Sequence, residues 1–382
     1  MKKLRKMLVT ILVIAAVALS MGSIVYAEST PVAKVGEVEY ATVMEAIAAV
    51  EDGGTVELLA GEISEEIATG RISKSFTIVG AADYATVLTG GIRIGTDNSS
   101  WGVQEYTVTV KGITFKNVGL GVCDIRNVVV ESNKFENTAG TAAIYIIDSS
   151  IDAVESNIVV KDNIIDGAQQ GIRIRTGYNV KITGNTVKNT QHNAITLEHA
   201  SKWPANSGVV VITDNTFENW ALGGEGRVVR ATFGPEAQLE KEIDFTGNKM
   251  LREEEPEEEY AKITPVGTTT VSLEKNYWNS DAPDFKTILK VEGKTEVEVT
   301  EYYKADTMKE EDLNTYVAPP VEDETEKEEE KVEDKEEEKV EDKGEASPET
   351  GDNSNLMLLF VLAFSSLIGL SISIFSVKKE HN

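Results

Sequence analysis

A short motif returns at intervals along the middle of the chain, and each copy carries an asparagine at the same place. The clearest copies span residues 128–137, 158–167, 180–189 and 210–219. Weaker copies follow, and an earlier one at 108–117 has Ile113 at the asparagine position. The repeated asparagines are Asn133, Asn163, Asn185, Asn215, Asn248 and Asn276. A chain that repeats itself every 22 to 33 residues is built from stacked copies of one structural unit.

Each copy alternates apolar and polar residues, which predicts β-strands with one buried face. A second strand follows the asparagine, and a third lies in segments such as 143–147, 171–175 and 194–198. We expect each asparagine to occupy a left-handed corner and to bond to the copies above and below. A single unit cannot bury its apolar face, so the units must stack.

The repeated Val-x-Val-x-x-Asn-x-Phe-x-Asn pattern resembles the right-handed parallel β-helix of pectate-lyase-like proteins. The resemblance covers roughly residues 55–290 and implies an all-β fold of about seven rungs, a rung being one turn of the β-helix. A β-sandwich is the alternative, but it would not keep asparagine in register six times. Residues 28–54 are the predicted N-terminal cap, with a short helix that buries Val43, Ala46, Ile47 and Val50. Residues 291–320 are the predicted closing segment, and Trp278 is a predicted core plug.

The third strand of each unit offers a candidate binding face. If Ile144, Ile172 and Ile195 point inward, the alternate side chains point outward. That outward set is Arg93, Cys123, Tyr145, Arg173, Arg175, Thr196, Glu198 and Arg230, with His192, His199 and Trp203 in adjoining loops. Arginines and aromatic rings suit a sugar-binding surface. The predicted ligand-binding residues are Tyr145, Arg173, Arg175, Glu198, His199, Trp203 and Arg230.

The resemblance also implies a possible polysaccharide lyase or glycoside hydrolase, with Arg173 or Arg175 as the base. Hydrolysis needs two carboxylates facing each other, and Glu198 alone stands clearly on the proposed face. The alternative, which we favour, is that these arginines are solvated exterior positions paired with Glu198 or with neighbouring side chains. We therefore favour a binding or structural role over catalysis and assign no catalytic residue; Arg173, Arg175 and Glu198 are the candidates if there is one.

Composition limits the partners. The net charge is −27, which opposes nucleic-acid binding. An acidic run at residues 253–259 allows weak calcium binding, but a run is not a converging ligand set, so no metal or cofactor is predicted. Cys123 is the sole cysteine, so no intramolecular disulfide can form.

Both ends of the chain indicate export. Residues 1–27 have a basic start, an apolar stretch and a small-residue cleavage site after Ala27, as in secretory signal peptides. Residues 321–346 are strongly acidic with no apolar face, which predicts a disordered spacer.

Residues 347–382 resemble the sorting signal that sortase transpeptidases read in Gram-positive surface proteins. Ser347, Pro348, Glu349, Thr350 and Gly351 precede an uncharged apolar span at 356–377 and a basic tail. The resemblance implies cleavage after Thr350 and covalent attachment of Thr350 to peptidoglycan, with sortase as the processing partner. Ser347 stands where the commonest motif has Leu, which leaves the sortase class open. We therefore expect a cell-wall-anchored adhesin, glycan-binding or structural protein, with a surface-displayed lyase or hydrolase as the alternative.

Overall fold

The computed structural model describes residues 30–96, 103–147, 156–175, 179–198, 209–232, 243–253, 260–264, 270–291 and 296–316. The predicted signal peptide, acidic spacer, sorting signal and apolar span lie outside these residues, as do His199 and Trp203. The helices in the described ranges are all too short to cross a bilayer.

The described strands form three long sheets, which we number in the order in which the chain first enters them. The first sheet contains β1 (Ala33–Val35), β2 (Val38–Tyr40), β3 (Gly54–Leu58), β6 (Phe76–Val79), β9 (Gln104–Lys111), β12 (Ile125–Glu131), β15 (Asn157–Lys161), β18 (Asn179–Thr183), β21 (Val210–Thr213), β24 (Ile243–Thr246), β27 (Thr270–Ser272) and β30 (Glu296–Glu298). The second sheet contains β4 (Gly61–Ile63), β7 (Thr86–Leu88), β10 (Thr114–Lys116), β13 (Lys134–Thr138), β16 (Ile164–Ala168), β19 (Thr186–Thr190), β22 (Thr216–Glu218), β25 (Lys249–Leu251), β28 (Asn276–Trp278), β31 (Glu301–Tyr303) and β32 (Leu313–Thr315). The third sheet contains β5 (Ile67–Ala68), β8 (Ile92–Gly95), β11 (Leu120–Cys123), β14 (Ile144–Ile147), β17 (Ile172–Arg175), β20 (Ile195–Glu198), β23 (Val229–Thr232), β26 (Ala261–Thr264) and β29 (Leu289–Val291).

From β3 to β31 the chain visits the three sheets in turn, and strands on successive rungs pair in parallel. Before this stack, β1 pairs antiparallel with β2 and β3. This is a parallel β-helix, as the repeat predicts. The stack begins at β3, and in the described residues it has more rungs than the seven or so that the motif predicts. The motif undercounts the rungs because the first and last of them lack the asparagine that marks the others. The predicted closing segment begins as a further rung, since β30 and β31 still pair in parallel. The antiparallel strand β32 then covers β31.

The six repeated asparagines are fully buried at the corner between the first and second sheets. Each of the first five donates its backbone N–H and its side-chain amide to the Oδ1 atom of the asparagine one rung further along the chain, and Asn276 ends the ladder by donating to the carbonyls of Phe245 and Leu273. For Asn163 and Asn185 these distances are 3.0 and 2.9 Å. The same geometry runs from Asn133 to Asn276. Buried polar groups must be hydrogen-bonded, and the ladder bonds them to one another.

The expectation that these asparagines adopt the left-handed conformation is wrong. The residue before each asparagine adopts it instead, because that residue turns the chain and the asparagine only bonds across the corner. These residues are Ser132, Asp162, Gly184, Asp214, Gly247 and Lys275. At the next corner, asparagine does take the left-handed form, with φ of 50° at Asn137, 55° at Asn189 and 51° at Asn219. The short polar side chain of asparagine tolerates that region.

Inward-facing side chains stack in rows through the interior. The second sheet contributes a row that includes Phe115 and Phe135, whose rings lie parallel with centroids 4.6 Å apart. Towards the last rungs the core becomes aromatic, and Trp278 contacts Phe245 and Phe285 there. Trp278 is 1% exposed. Burying one such large side chain contributes about 1.5–3 kcal/mol, so the rows supply most of the driving force for stacking.

A short helix, α1 (Val43–Ala49), covers the first rungs and buries Val43, Ala46 and Ile47. Thr42 and Glu45 form a capping box at its start. The stack also holds the helix at both ends. Glu65 accepts the backbone N–H groups of Val43 and Met44, and Lys74 donates to the carbonyls of Ala48 and Val50. Other short helices are α2 (Phe285–Ile288) and two 3₁₀ segments (Ala82–Tyr84 and Glu310–Asp312).

Candidate functional site

The outward face of the third sheet carries one side chain per rung between two buried rows. These side chains lie in register on neighbouring strands, about 4.8 Å apart. We call them the outer row: Arg93, Gly121, Tyr145, Arg173, Thr196, Arg230, Lys262 and Lys290. Five of these eight residues are cationic and none is acidic, on a chain of net charge −27. The outer row is therefore a local basic line on an acidic protein.

Four side chains in the middle of this face form a second feature, the arginine cluster of Tyr145, Arg173, Arg175 and Glu198. One carboxylate oxygen of Glu198 accepts from Arg173 at 2.8 Å and lies 3.4 Å from Nε of Arg175. The guanidinium of Arg173 lies 5.4 Å from the ring centroid of Tyr145, and Nη1 of Arg175 is 3.5 Å from the tyrosine hydroxyl. Parallel pairing of β14, β17 and β20 fixes this arrangement, because alternate residues of each strand face outward.

The arginine cluster is open to solvent. The side chains of Arg173, Arg175 and Glu198 are 22%, 36% and 34% exposed. The cluster has two guanidinium groups and one carboxylate, so it carries a net positive charge. That charge suits a further anion, and the half-buried ring of Tyr145 adds an apolar face beside it.

A groove of about 280 Å³ adjoins the cluster, between Arg93 and Tyr145. It lies where Gly121 interrupts the outer row, since a glycine leaves the space of a missing side chain. Its lining includes Gly119, Gly121, Cys123 and Ala142, together with Ile92 and Leu120 of the inward row. Arg93, Thr141 and Tyr145 supply its polar groups.

Sequence reasoning placed some side chains on this face that the structure buries. Cys123 is 3% exposed and lines the groove from below. Thr196 is 2% exposed because neighbouring side chains enclose its hydroxyl, which donates to Gln170 at 2.5 Å and accepts from Asn193 at 3.1 Å. Arg230 is exposed two strands away from Arg173 on the outer row.

The sequence analysis did not place Gly121, Lys262 and Lys290 on the outward face of the third sheet. Their positions relative to the apolar residues of each third strand match those of Tyr145 and Arg173, so strict counting of the strand register would have found them. The weaker repeats at both ends of the chain obscured that register.

In the ranges that the structure describes, no three histidine, cysteine or acidic side chains converge into a group that could hold a metal ion. Most of the acidic run at 253–259 lies outside those ranges.

The curated proteins and the solved structures contain no match to this chain. One family model does match, and its range covers the arginine cluster, Arg230 and the groove residues from Gly119 to Tyr145, but not Arg93. Residues 94–234 match the family described as a right-handed beta helix region, so this part of the chain is a right-handed parallel β-helix.

Proposed function

We propose that this protein is displayed on the cell wall of a Gram-positive bacterium and binds an extended anionic glycan along its third sheet. The observation that carries the binding proposal is the arginine cluster, which sets two partly exposed guanidinium groups and a tyrosine ring side by side. Guanidinium groups bind carboxylates and sulfates through paired hydrogen bonds, and a neighbouring aromatic face suits a sugar ring.

The outer row supports an extended ligand rather than a small one. Arg93, Arg173 and Arg230 lie on one line parallel to the stacking direction, and Lys262 and Lys290 continue it. A polymer with repeating acidic groups can contact several of these cations at once. Because the whole chain is acidic, its net charge would repel such a polymer, so binding depends on this local line of positive charge.

Binding is favoured over cleavage. Hydrolysis uses two carboxylates across the scissile bond. Within the arginine cluster the carboxylate is that of Glu198, and it is already engaged with Arg173 and Arg175. A lyase using Arg173 or Arg175 as its base is the alternative, and the same samples can test it by assaying for new reducing ends with calcium present.

The binding test uses the full-length chain, purified in detergent, with polygalacturonate as the anionic polymer and dextran as the neutral one. We expect saturable binding of polygalacturonate and none of dextran. Arg173→Gln and Arg230→Ala should each weaken it about tenfold or more, since a hydrogen bond to a charged group contributes about 1.5–3 kcal/mol. Lys181→Ala is the matched control, because it removes an exposed positive charge from the first sheet. Equal losses in all three variants would contradict a site on the third sheet.

Wall display rests on Pro348, Thr350 and Gly351, followed by an apolar span and a basic tail. Muramidase digestion should release the protein without detergent, still joined to peptidoglycan fragments. Thr350→Ala should abolish that release and leave the protein in the membrane fraction. Recovery of the unaltered chain in detergent alone would contradict covalent anchoring by sortase.

A further inference from the structure

Gly121 is a glycine that the fold does not require. Its backbone does not adopt a positive φ. A Cβ atom built at this position would meet only Cγ of Arg93 and the carbonyl oxygen of Ile92, both at 3.8 Å, which is ordinary van der Waals contact. An alanine therefore fits here without strain.

Two other glycines nearby differ in this respect. A Cβ on Gly119 would lie 2.8 Å from the carbonyl oxygen of Ala142. A Cβ on Gly95 would lie 1.9 Å from the carbonyl oxygen of Cys123, and Gly95 also has a φ of 80°. Close packing explains why those two positions are glycine, but it does not explain Gly121. Gly121 occupies the outward position between Arg93 and Tyr145.

What Gly121 provides is the groove. With a side chain at this position, the outer row would run unbroken from Arg93 to Tyr145 and the space of about 280 Å³ would become smaller. That volume lies just below the range of about 300–1,000 Å³ that is usual for small-molecule sites. It suits a substituent of a larger ligand better than a whole oligosaccharide.

The chemistry of the lining restricts the substituent. Cys123 and Ala142 are buried and supply small apolar side chains to the floor of the groove, whereas Ile92 and Leu120 lie in register with the inward-facing Ile144. A sugar ring pressed against that floor would lose hydrogen bonds from its hydroxyl groups, which is unfavourable. A methyl group has no hydrogen bonds to lose there, and a carbonyl oxygen next to it could accept a hydrogen bond from Arg93 or Thr141 at the rim.

We propose that the groove at Gly121 is a specificity subsite for an acetyl substituent, and that the preferred ligand is an acetylated acidic polysaccharide. This inference rests on the proposed glycan binding. The acidic groups of the polymer lie along Arg173 and the outer row, while the acetyl group enters the groove beside Tyr145.

The test compares two forms of one polymer on the full-length chain: O-acetylated polygalacturonate and the same sample after mild alkaline deacetylation. Deacetylation leaves the charge of the polymer unchanged, so electrostatic attraction is matched. We expect the unaltered protein to bind the acetylated form about tenfold more tightly, the discrimination that a small apolar group in a pocket commonly supplies.

Gly121→Leu should abolish this preference, so that the acetylated and deacetylated polymers bind with equal affinity, and Gly121→Ala should reduce the preference partly. Arg173→Gln should weaken both forms alike and keep their ratio. Thermal unfolding of each variant checks that the stack is intact.

Equal affinity of the unaltered protein for both forms would overturn the acetyl subsite while leaving glycan binding in place. A preference that survives Gly121→Leu would also overturn it. Failure of the unaltered protein to bind either form would instead overturn the proposed function together with the subsite that rests on it.

Discussion

Replacing Asn185 with alanine measures how much of the stability of the stack comes from its buried ladder. The side-chain amide nitrogen of Asn185 lies 2.9 Å from the carbonyl oxygen of Val160, 3.2 Å from that of Thr183 and 2.9 Å from Oδ1 of Asn215. Its own Oδ1 accepts the backbone N–H of Asn163 at 3.0 Å and the side-chain amide of Asn163 at 2.9 Å. Alanine removes all five contacts and leaves a buried backbone N–H without its acceptor.

Each intramolecular hydrogen bond contributes about 0.5–1.5 kcal/mol net, and a stranded buried donor costs about 1–3 kcal/mol. Because the contacts share partners and are not additive, we expect Asn185→Ala to lower the free energy of unfolding by about 4 kcal/mol. Urea unfolding followed by circular dichroism measures this loss. Amide hydrogen exchange locates it, since the N–H of Asn163 should lose protection first.

The matched control is Asn157→Ala. Asn157 also belongs to a line of stacked asparagines, donating to Asn127 at 2.9 Å and accepting from Asn179 at 3.0 Å, but it is exposed to solvent. Water replaces those two bonds, so the loss should stay below about 1 kcal/mol. Equal losses of unfolding free energy in Asn157→Ala and Asn185→Ala would refute the argument that the ladder stabilises the fold because it is buried.

Three further outcomes follow from other contacts. The hydrogen bond from Lys161 outweighs burial and lowers the pKa of Glu131 below its ordinary value of 4.5. The ionised Glu131 therefore stabilises the fold above pH 4.5, and this stabilisation is lost as the pH falls through the lowered pKa. Glu131→Gln should flatten this part of the acid-unfolding profile. Gly95→Ala should lower the melting temperature by several degrees or prevent folding, because its Cβ would overlap the carbonyl of Cys123, and an unchanged melting curve would contradict the packing described here. Raising sodium chloride from about 0.05 to about 0.5 M should weaken polygalacturonate binding strongly, since salt screens exposed charges, and a salt-independent isotherm would argue against an electrostatic site.

The repeat made the fold predictable because each copy must satisfy the same packing rule. Period-two alternation identified the strands, and the regular return of Asn133 and its equivalents placed them in a stack. The ends were harder to predict. In the rungs before residue 108, no asparagine marks the corner, and Thr86 instead donates to the carbonyls of Leu58 and Leu59 across rungs. Counting asparagine motifs therefore misses a rung whose corner is hydrogen-bonded by another residue, as it is by Thr86.

The candidate site was predictable in part. Alternation along β17 and β20 indicated that Arg173 and Glu198 share a face, and they do form an ion pair. It could not indicate that Thr196, at an outward position, is enclosed by Gln170 and Asn193, because those side chains come from the corner segments of two different rungs. The groove at Gly121 was also out of reach, since an empty space depends on what all its neighbours leave unfilled.

The ladder of buried asparagines has a single direction, and that direction suits the way a polypeptide is delivered. Ile113 donates to Oδ1 of Asn133, Asn133 donates to Asn163, and the same sense continues to Asn276. Each completed rung thus presents donors that wait for an acceptor supplied by the next rung to emerge. A chain synthesised from its N-terminus can therefore assemble by templated addition, with every new coil closing the bonds of the coil before it. Aligned amides also polarise one another, so the growing column should hold each added coil more firmly than an isolated pair would.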